Sequence, residues 1–226
     1  MVEVSTALTG TADSVTYELA DAEGQVLATA EGLGTVQLAA NGITPWTPET
    51  PALYTLRVNV TANGTADTAE QRIGIRTIQV SSKTGLLLNG QPRTMKGGCI
   101  HHDLGILGAA DHAAAERRRI RLMKESGFDA IRAAHNPFGP AFLNACDELG
   151  MLVVEEAFDE WVMGRTSFGL HVTFEQCWEK DLEDMITRDY NHPCIVMWST
   201  GNEVEERDGT ADGFAWAKRL ADKVRS

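Results

Sequence analysis

Four short segments carry side chains able to do chemistry, and each follows an apolar run. Trp198-Ser199-Thr200-Gly201-Asn202-Glu203 sets an amide beside a carboxylate. A carboxylic acid held within reach of a scissile bond can give it a proton, and an asparagine next to it can hydrogen-bond a substrate hydroxyl. Asn-Glu is a common dipeptide, so its place at the end of a strand is what makes it informative. His101-His102-Asp103 is a second such segment. Loop histidines are often merely solvated, and these three alone make a weak metal site. The third, Arg132-Ala-Ala-His135-Asn136-Pro137, begins with an arginine inside a strand. A buried guanidinium needs a carboxylate partner. The fourth, Glu155-Glu156-Ala157-Phe158-Asp159-Glu160-Trp161, crowds four carboxylates. Mutual repulsion should raise some of their pKa values.

The elements that must position these residues fall into two halves. Residues 1 to about 80 alternate apolar and polar at Val2 to Leu8, Val15 to Leu19, Val26 to Ala30 and Tyr54 to Val60, with a last strand near Arg72 to Ile78. Period two over short runs, broken at Ala22-Glu23-Gly24, Asn41-Gly42 and Asn63-Gly64, predicts an antiparallel sandwich. From residue 84 onward strands and helices alternate. Strands are expected at Thr94–Ile100, Phe128–Ala133, Met151–Glu156 and Cys194–Trp198. Helices are expected at Asp111–Ser126, with Asp111 as N-cap, and at Pro140–Leu149, Phe174–Tyr190 and Asp212–Arg225. Four strand–helix units imply a parallel sheet. A doubly wound sheet and a (β/α) barrel both satisfy the pattern. Two features favour the barrel: no glycine-rich phosphate loop follows the first strand, and polar groups stand at the C-terminal end of every strand.

Bulk properties narrow the function classes. The chain has 226 residues and a formal net charge of −12, which argues against nucleic-acid partners and reads mainly as solubility. No apolar run approaches the ~20 residues of a membrane span. Cys99, Cys146, Cys177 and Cys194 show no paired spacing, so neither a zinc site nor a disulfide framework is expected. Unpaired cysteines and a Met1–Gly10 segment without signal-peptide features favour the cytoplasm, with a leader lost upstream left open.

Six ordered motifs resemble glycoside hydrolase family 2, the β-galactosidase, β-glucuronidase and β-mannosidase family, over nearly the whole chain. Pro45-Trp46-Thr47-Pro48 through Leu53-Tyr54 resembles a segment of that family's immunoglobulin-like sandwich, and Ile73-Gly74-Ile75-Arg76-Thr77 the strand leading into its barrel. Leu88-Asn89-Gly90-Gln91-Pro92 through Lys96-Gly97 to Asp103 resembles the first barrel strand, and Arg132 to Pro137 the second. Asn191-His192-Pro193 and Trp198-Ser199-x-Gly201-Asn202-Glu203 resemble the approach to the fourth strand and its end. The resemblance implies an immunoglobulin-like β-sandwich over residues 1–80, then the first half, four βα units, of a TIM (β/α)8 barrel over 81–226.

It also implies hydrolysis of O-glycosidic bonds by a retaining two-carboxylate mechanism. Glu203 matches the acid/base, with a pKa raised by its carboxylate partner, and Asn202 the contact to the 2-hydroxyl. His101, Arg132, His135, Asp159 and Trp161 fall on pocket positions. The loop spelling resembles bacterial β-galactosidases, with β-glucuronidase and β-mannosidase specificity as alternatives. Some members use a divalent cation such as Mg, here near His101, Glu160 and Glu203. The family's nucleophile comes from a later strand and its N-terminal jelly roll is not in this sequence, so the chain reads as a fragment, inactive alone. Glu155, Glu156 or Asp159 as a substitute nucleophile is a geometric alternative. Its expected partners are a β-galactoside-like carbohydrate and either a second copy or a complementary C-terminal half-barrel. A different class, a non-catalytic carbohydrate-binding or association module, is the competing reading. Another barrel hydrolase sharing the Asn-Glu ending is argued against by the Pro-Trp-Thr-Pro segment.

Overall fold

Alternating burial builds the first strands. In the computed structural model, which describes residues 1–226, Val15, Tyr17 and Leu19 point inward from one strand while Ser14, Thr16 and Glu18, alternating with them, are partly exposed. The chain divides into two units, Met1–Thr77 and Ile78–Ser226.

The first unit holds β1 (Val2–Ser5), β2 (Ser14–Ala20), β3 (Val26–Glu31), β4 (Thr35–Leu38), β5 (Tyr54–Ala62) and β6 (Thr65–Ile73). An antiparallel sheet in the order β3-β2-β5-β6 faces the pair β1-β4. Val4 and Leu38 from the pair share one core with Val15, Tyr17, Leu19, Tyr54 and Leu56 from the sheet. Asn63 and Gly64, with φ of 51° and 75°, make the tight turn between β5 and β6, since both central residues of such a turn need positive φ.

Four details differ from the alternation. The strand expected near Arg72 to Ile78 is split, because β6 ends at Ile73 and β7 starts at Ile78. Most of β6 is polar and exposed, so only its hairpin partner reveals it. Thr6 and Leu8 lie beyond β1, and β4 falls outside the alternating runs.

The second unit opens with an antiparallel meander, β7 (Ile78–Ser81), β8 (Gly85–Leu88) and β9 (Gln91–Pro92). Four βα units follow: β10 (Gly97–Ile100) and α1 (Ala113–Glu125), β11 (Ala130–Ala133) and α2 (Pro140–Leu149), β12 (Leu152–Glu156) and α3 (Phe174–Asp189), β13 (Ile195–Ser199) and α4 (Gly213–Arg225). The strands are parallel in the order β10-β11-β12-β13. Gly97 allows β10 to approach β11, for a Cβ there would lie 2.2 Å from the Ala130 carbonyl oxygen. Gly150, with φ of 72°, ends α2. Phe158, Trp161, Phe174, Leu182, Met185, Trp216 and Leu220 form the apolar cluster that α3 and α4 share. No helix is long and apolar enough to cross a membrane.

Asp111 does not cap α1. The N-cap position is His112, without a side-chain bond, and Asp111 Oδ2 instead accepts the backbone N–H of Ala141 in the first turn of α2, at 3.3 Å. A carboxylate is favourable at either helix start, and the fold decides which one it meets.

Candidate active site

Parallel pairing brings the C-terminal ends of all four strands to one edge of the sheet. There Arg132 on β11 projects toward Glu156 at the end of β12. Its Nε and Nη2 donate to the Glu156 carboxylate at 2.7–3.0 Å in a two-pronged pair. Glu156 also accepts from Ser199 Oγ at 2.6 Å and pairs with His135 Nδ1 at 2.8 Å, and it is fully buried. Burial works against the Arg132 cation, but the bonds to Glu156 outweigh it and hold the guanidinium pKa above its ordinary value. A carboxylate so paired accepts, so His135 donates from Nδ1 and turns Nε2 away from Glu156.

The same guanidinium fixes Asn202. Arg132 Nη2 donates to Asn202 Oδ1 at 2.9 Å, and Asn202 Nδ2 donates to Asp159 Oδ1 at 3.1 Å. A cation on one side and a carboxylate on the other determine which way the amide points. Glu203 follows in the left-handed region, with φ of 44°, and its side chain is 81% exposed. The turn before it is packed tightly. Trp161 Nε1 donates to the Thr200 carbonyl at 2.7 Å, and a Cβ on Gly201 would stand 2.8 Å from that nitrogen.

These groups surround an open cleft of about 730 Å³. Six of the seven residues singled out from sequence line it: His101, Arg132, His135, Asp159, Asn202 and Glu203. The rings of His101 and His135 meet edge-on at 4.9 Å. Trp161, the seventh, is off the wall. It is 6% exposed and belongs to the apolar cluster beneath the turn. The family resemblance implies a pocket position for it, whereas its indole is buried as a prop.

The acidic strand end resolves into four different roles. Glu156 is the partner that Arg132 required. Glu155 points the other way, accepts the Phe138 backbone N–H at 2.9 Å, and has its second oxygen buried without a partner. Its pKa is pushed up to about 8, chiefly by burial, with repulsion from Asp189 and Glu156 a smaller contribution. The expected rise is therefore present, and desolvation leads it. Neither Glu155 nor Glu156 lines the cleft. Asp159 lines it and also carries Arg165.

Glu160, with His101 and Glu203, does not fit a divalent cation. Its oxygens accept the backbone N–H groups of Arg165 and His171 and the His171 ring. Burial alone would raise its pKa, and those bonds lower it overall. The Arg165 guanidinium stands 3.8 Å from Glu203. Arg165 had no signal in the sequence, for it lies in a 17-residue connection between β12 and α3, residues 157–173, without periodicity.

The description "Glycosyl hydrolases family 2, TIM barrel domain" matches residues 78–226, and "Glycosyl hydrolases family 2" matches residues 2–76. The chain belongs to glycoside hydrolase family 2. This family 2 chain is 40% identical over 212 residues to the β-galactosidase BoGH2A of Bacteroides ovatus, covering 88% of the chain and 25% of that relative. It is 35% identical over 209 residues to a putative β-glucuronidase of Formosa agariphila, covering 90% of the chain and 20% of the relative. A family 2 member from Bacteroides cellulosilyticus superposes with a TM-score of 0.89 at 37% identity, over 94% of this chain and 29% of that one. The β-glucuronidase from Ruminococcus gnavus in complex with D-glucaro 1,5-lactone gives 0.82 at 29% identity, over 96% and 36%. The family 2 chain spans a quarter or less of the length of these two curated relatives.

Proposed function

We propose that this chain is the acid/base-bearing part of a retaining β-glycosidase, an immunoglobulin-like sandwich followed by the first half of a (β/α)8 barrel. The observation that carries this is the chain of contacts from Glu156 through Arg132 to Asn202, which holds an amide of fixed orientation next to an exposed glutamate in a polar cleft. In the proposed mechanism Glu203 gives its proton to the glycosidic oxygen as the bond to the anomeric carbon breaks. The nucleophile is a second carboxylate about 5–5.5 Å away, supplied from outside this chain. Glu203 then takes a proton from the water that releases the sugar. Asn202 uses its Oδ1 on Arg132 and one N–H on Asp159, which leaves the other N–H for the sugar 2-hydroxyl.

A neutral sugar of the β-galactoside kind is the favoured substrate. Both cleft arginines are already paired, Arg132 with Glu156 and Arg165 with Asp159. Asp159, Glu160 and Glu203 add negative charge to the cleft, which disfavours a uronate. The 40% identity to a β-galactosidase supports the same choice, and the 35% identity to a putative β-glucuronidase keeps uronides as the second reading, with β-mannosides third.

The test is turnover of chromogenic galactoside and glucuronide by the chain alone and by the chain mixed with a C-terminal half of a family 2 barrel. The chain alone is expected to be silent and the mixture active on the galactoside. Glu203→Gln should lower that activity by roughly 10²–10⁴-fold. Undiminished turnover in this variant would remove Glu203 from the mechanism. A mixture that binds galactoside without ever turning it over favours a carbohydrate-binding module.

A further inference from the structure

The connection between β12 and α3 is wound around one carboxylate. Glu160 is 4% exposed. Its Oε2 accepts the Arg165 backbone N–H at 2.9 Å, and its Oε1 accepts the backbone N–H and ring Nδ1 of His171 at 3.2 and 3.0 Å. A Cβ on Gly169 would fall 1.7 Å from Oε1, so the loop closes on this carboxylate at a distance only glycine permits. The result is a fixed starting point for the Arg165 side chain.

That side chain runs into the cleft. Its Nη2 donates to the Asp159 carbonyl at 2.8 Å and to Asp159 Oδ1 at 2.5 Å, and its Nη1 lies 3.8 Å from Glu203 Oε2. One guanidinium thus stands between the carboxylate that holds Asn202 and the carboxylate beside Asn202. The side chain is 27% exposed, and the residue lines the cleft. A planar, permanently charged fork suits two carboxylates at once, which a lysine ammonium does less well.

We propose that Arg165 is a positioning residue for Glu203, and that its guanidinium supplies the positive charge on this side of the cleft that a divalent cation provides in some family members. The proposal rests on the acid/base reading of Glu203. When Glu203 passes its proton to the leaving oxygen, the carboxylate left behind forms next to a cation already held in place by Asp159 and the Glu160-centred loop. Such preorganised charge costs little reorganisation during the reaction.

Two measurements test it. In the chain alone, titration with manganese followed by electron paramagnetic resonance should show no ion held at the cleft. An ion bound by the wild type and lost in Glu203→Gln overturns the proposal, whatever the chain's enzymatic status. In the chain assembled with a C-terminal half, Arg165→Ala should lower kcat by about tenfold to a hundredfold with KM little changed. Arg165→Lys should recover part of the loss, added guanidinium ion should rescue Arg165→Ala, and a chelator should leave the wild type unaffected. An unchanged kcat in Arg165→Ala, failure of both rescues in folded variants, or a chelator-sensitive wild type overturns it. Glu203→Gln, measured in parallel, separates this failure from failure of the acid/base reading itself.

Discussion

Glu155 and Glu156 are neighbours in sequence and opposites in environment. Strand alternation turns one toward the cleft edge and the other toward the helices. Glu156 meets a guanidinium, a histidine and a hydroxyl. Glu155 meets one backbone N–H, and its pKa rises from 4.5 to about 8. As pH rises, the unfolded chain releases this proton first, because the folded chain binds it more tightly. Stability therefore falls between those two values and is level outside them as far as this group is concerned. Glu155→Gln should melt with the wild type near the lower value and several degrees above it just past the upper one, a gain of roughly a few kcal/mol. Thermal melts across the range check this, and equal melting temperatures at both ends would show that Glu155 does not hold its proton in the fold.

Whole elements are locked together by a small number of buried polar contacts. Asp147 on α2 is 2% exposed. Its Oδ2 pairs with His192 Nδ1 at 2.6 Å, and its Oδ1 accepts the Cys194 backbone N–H at 3.0 Å. The Cys194 thiol in turn donates to the Leu143 carbonyl on the same helix. This trio has the residue types of a metal site, but its polar atoms are engaged in fastening α2 to the start of β13. The strand that leads to Glu203 is aligned from this end. Asp147→Ala leaves the His192 ring and the Cys194 backbone N–H without their acceptor and should therefore destabilise the chain by about 1–3 kcal/mol for each buried group left unsatisfied. Urea unfolding of the variant measures it, and a change within ~0.5 kcal/mol would mark the trio as incidental.

Over the whole molecule, the consequence that matters is an unclosed parallel sheet. β10 and β13 are its outer strands, each with a free edge. Met197 on β13 is 43% exposed, and Cys99 on β10 is exposed as well. Exposed strand edges with apolar neighbours recruit further strands. The isolated chain is therefore expected to self-associate, or to be soluble only with a complementary half. Size-exclusion chromatography with light scattering tests this, and a monodisperse monomer at tens of micromolar would count against it.

Much of this molecule is legible in one dimension. Alternation marks β2 and β5, and the helix expected at Pro140–Leu149 is observed as α2 with the same bounds. The order of motifs names the family, and the strand ends name most of the cleft, because parallel topology forces those ends together. Local rules fail where a residue answers to a distant partner. β6 is a strand only because β5 lies beside it, and Asp111 serves α2 rather than the helix it precedes. Trp161 is buried under a turn 39 residues away, and Glu160 is claimed by its own loop. Arg165 enters the cleft through a connection whose path no periodicity records. Sequence determines which groups are available, through residue type and the period of their neighbours. Tertiary structure decides which are paired, which are buried and which remain free to meet a ligand, since those depend on contacts between segments far apart along the chain.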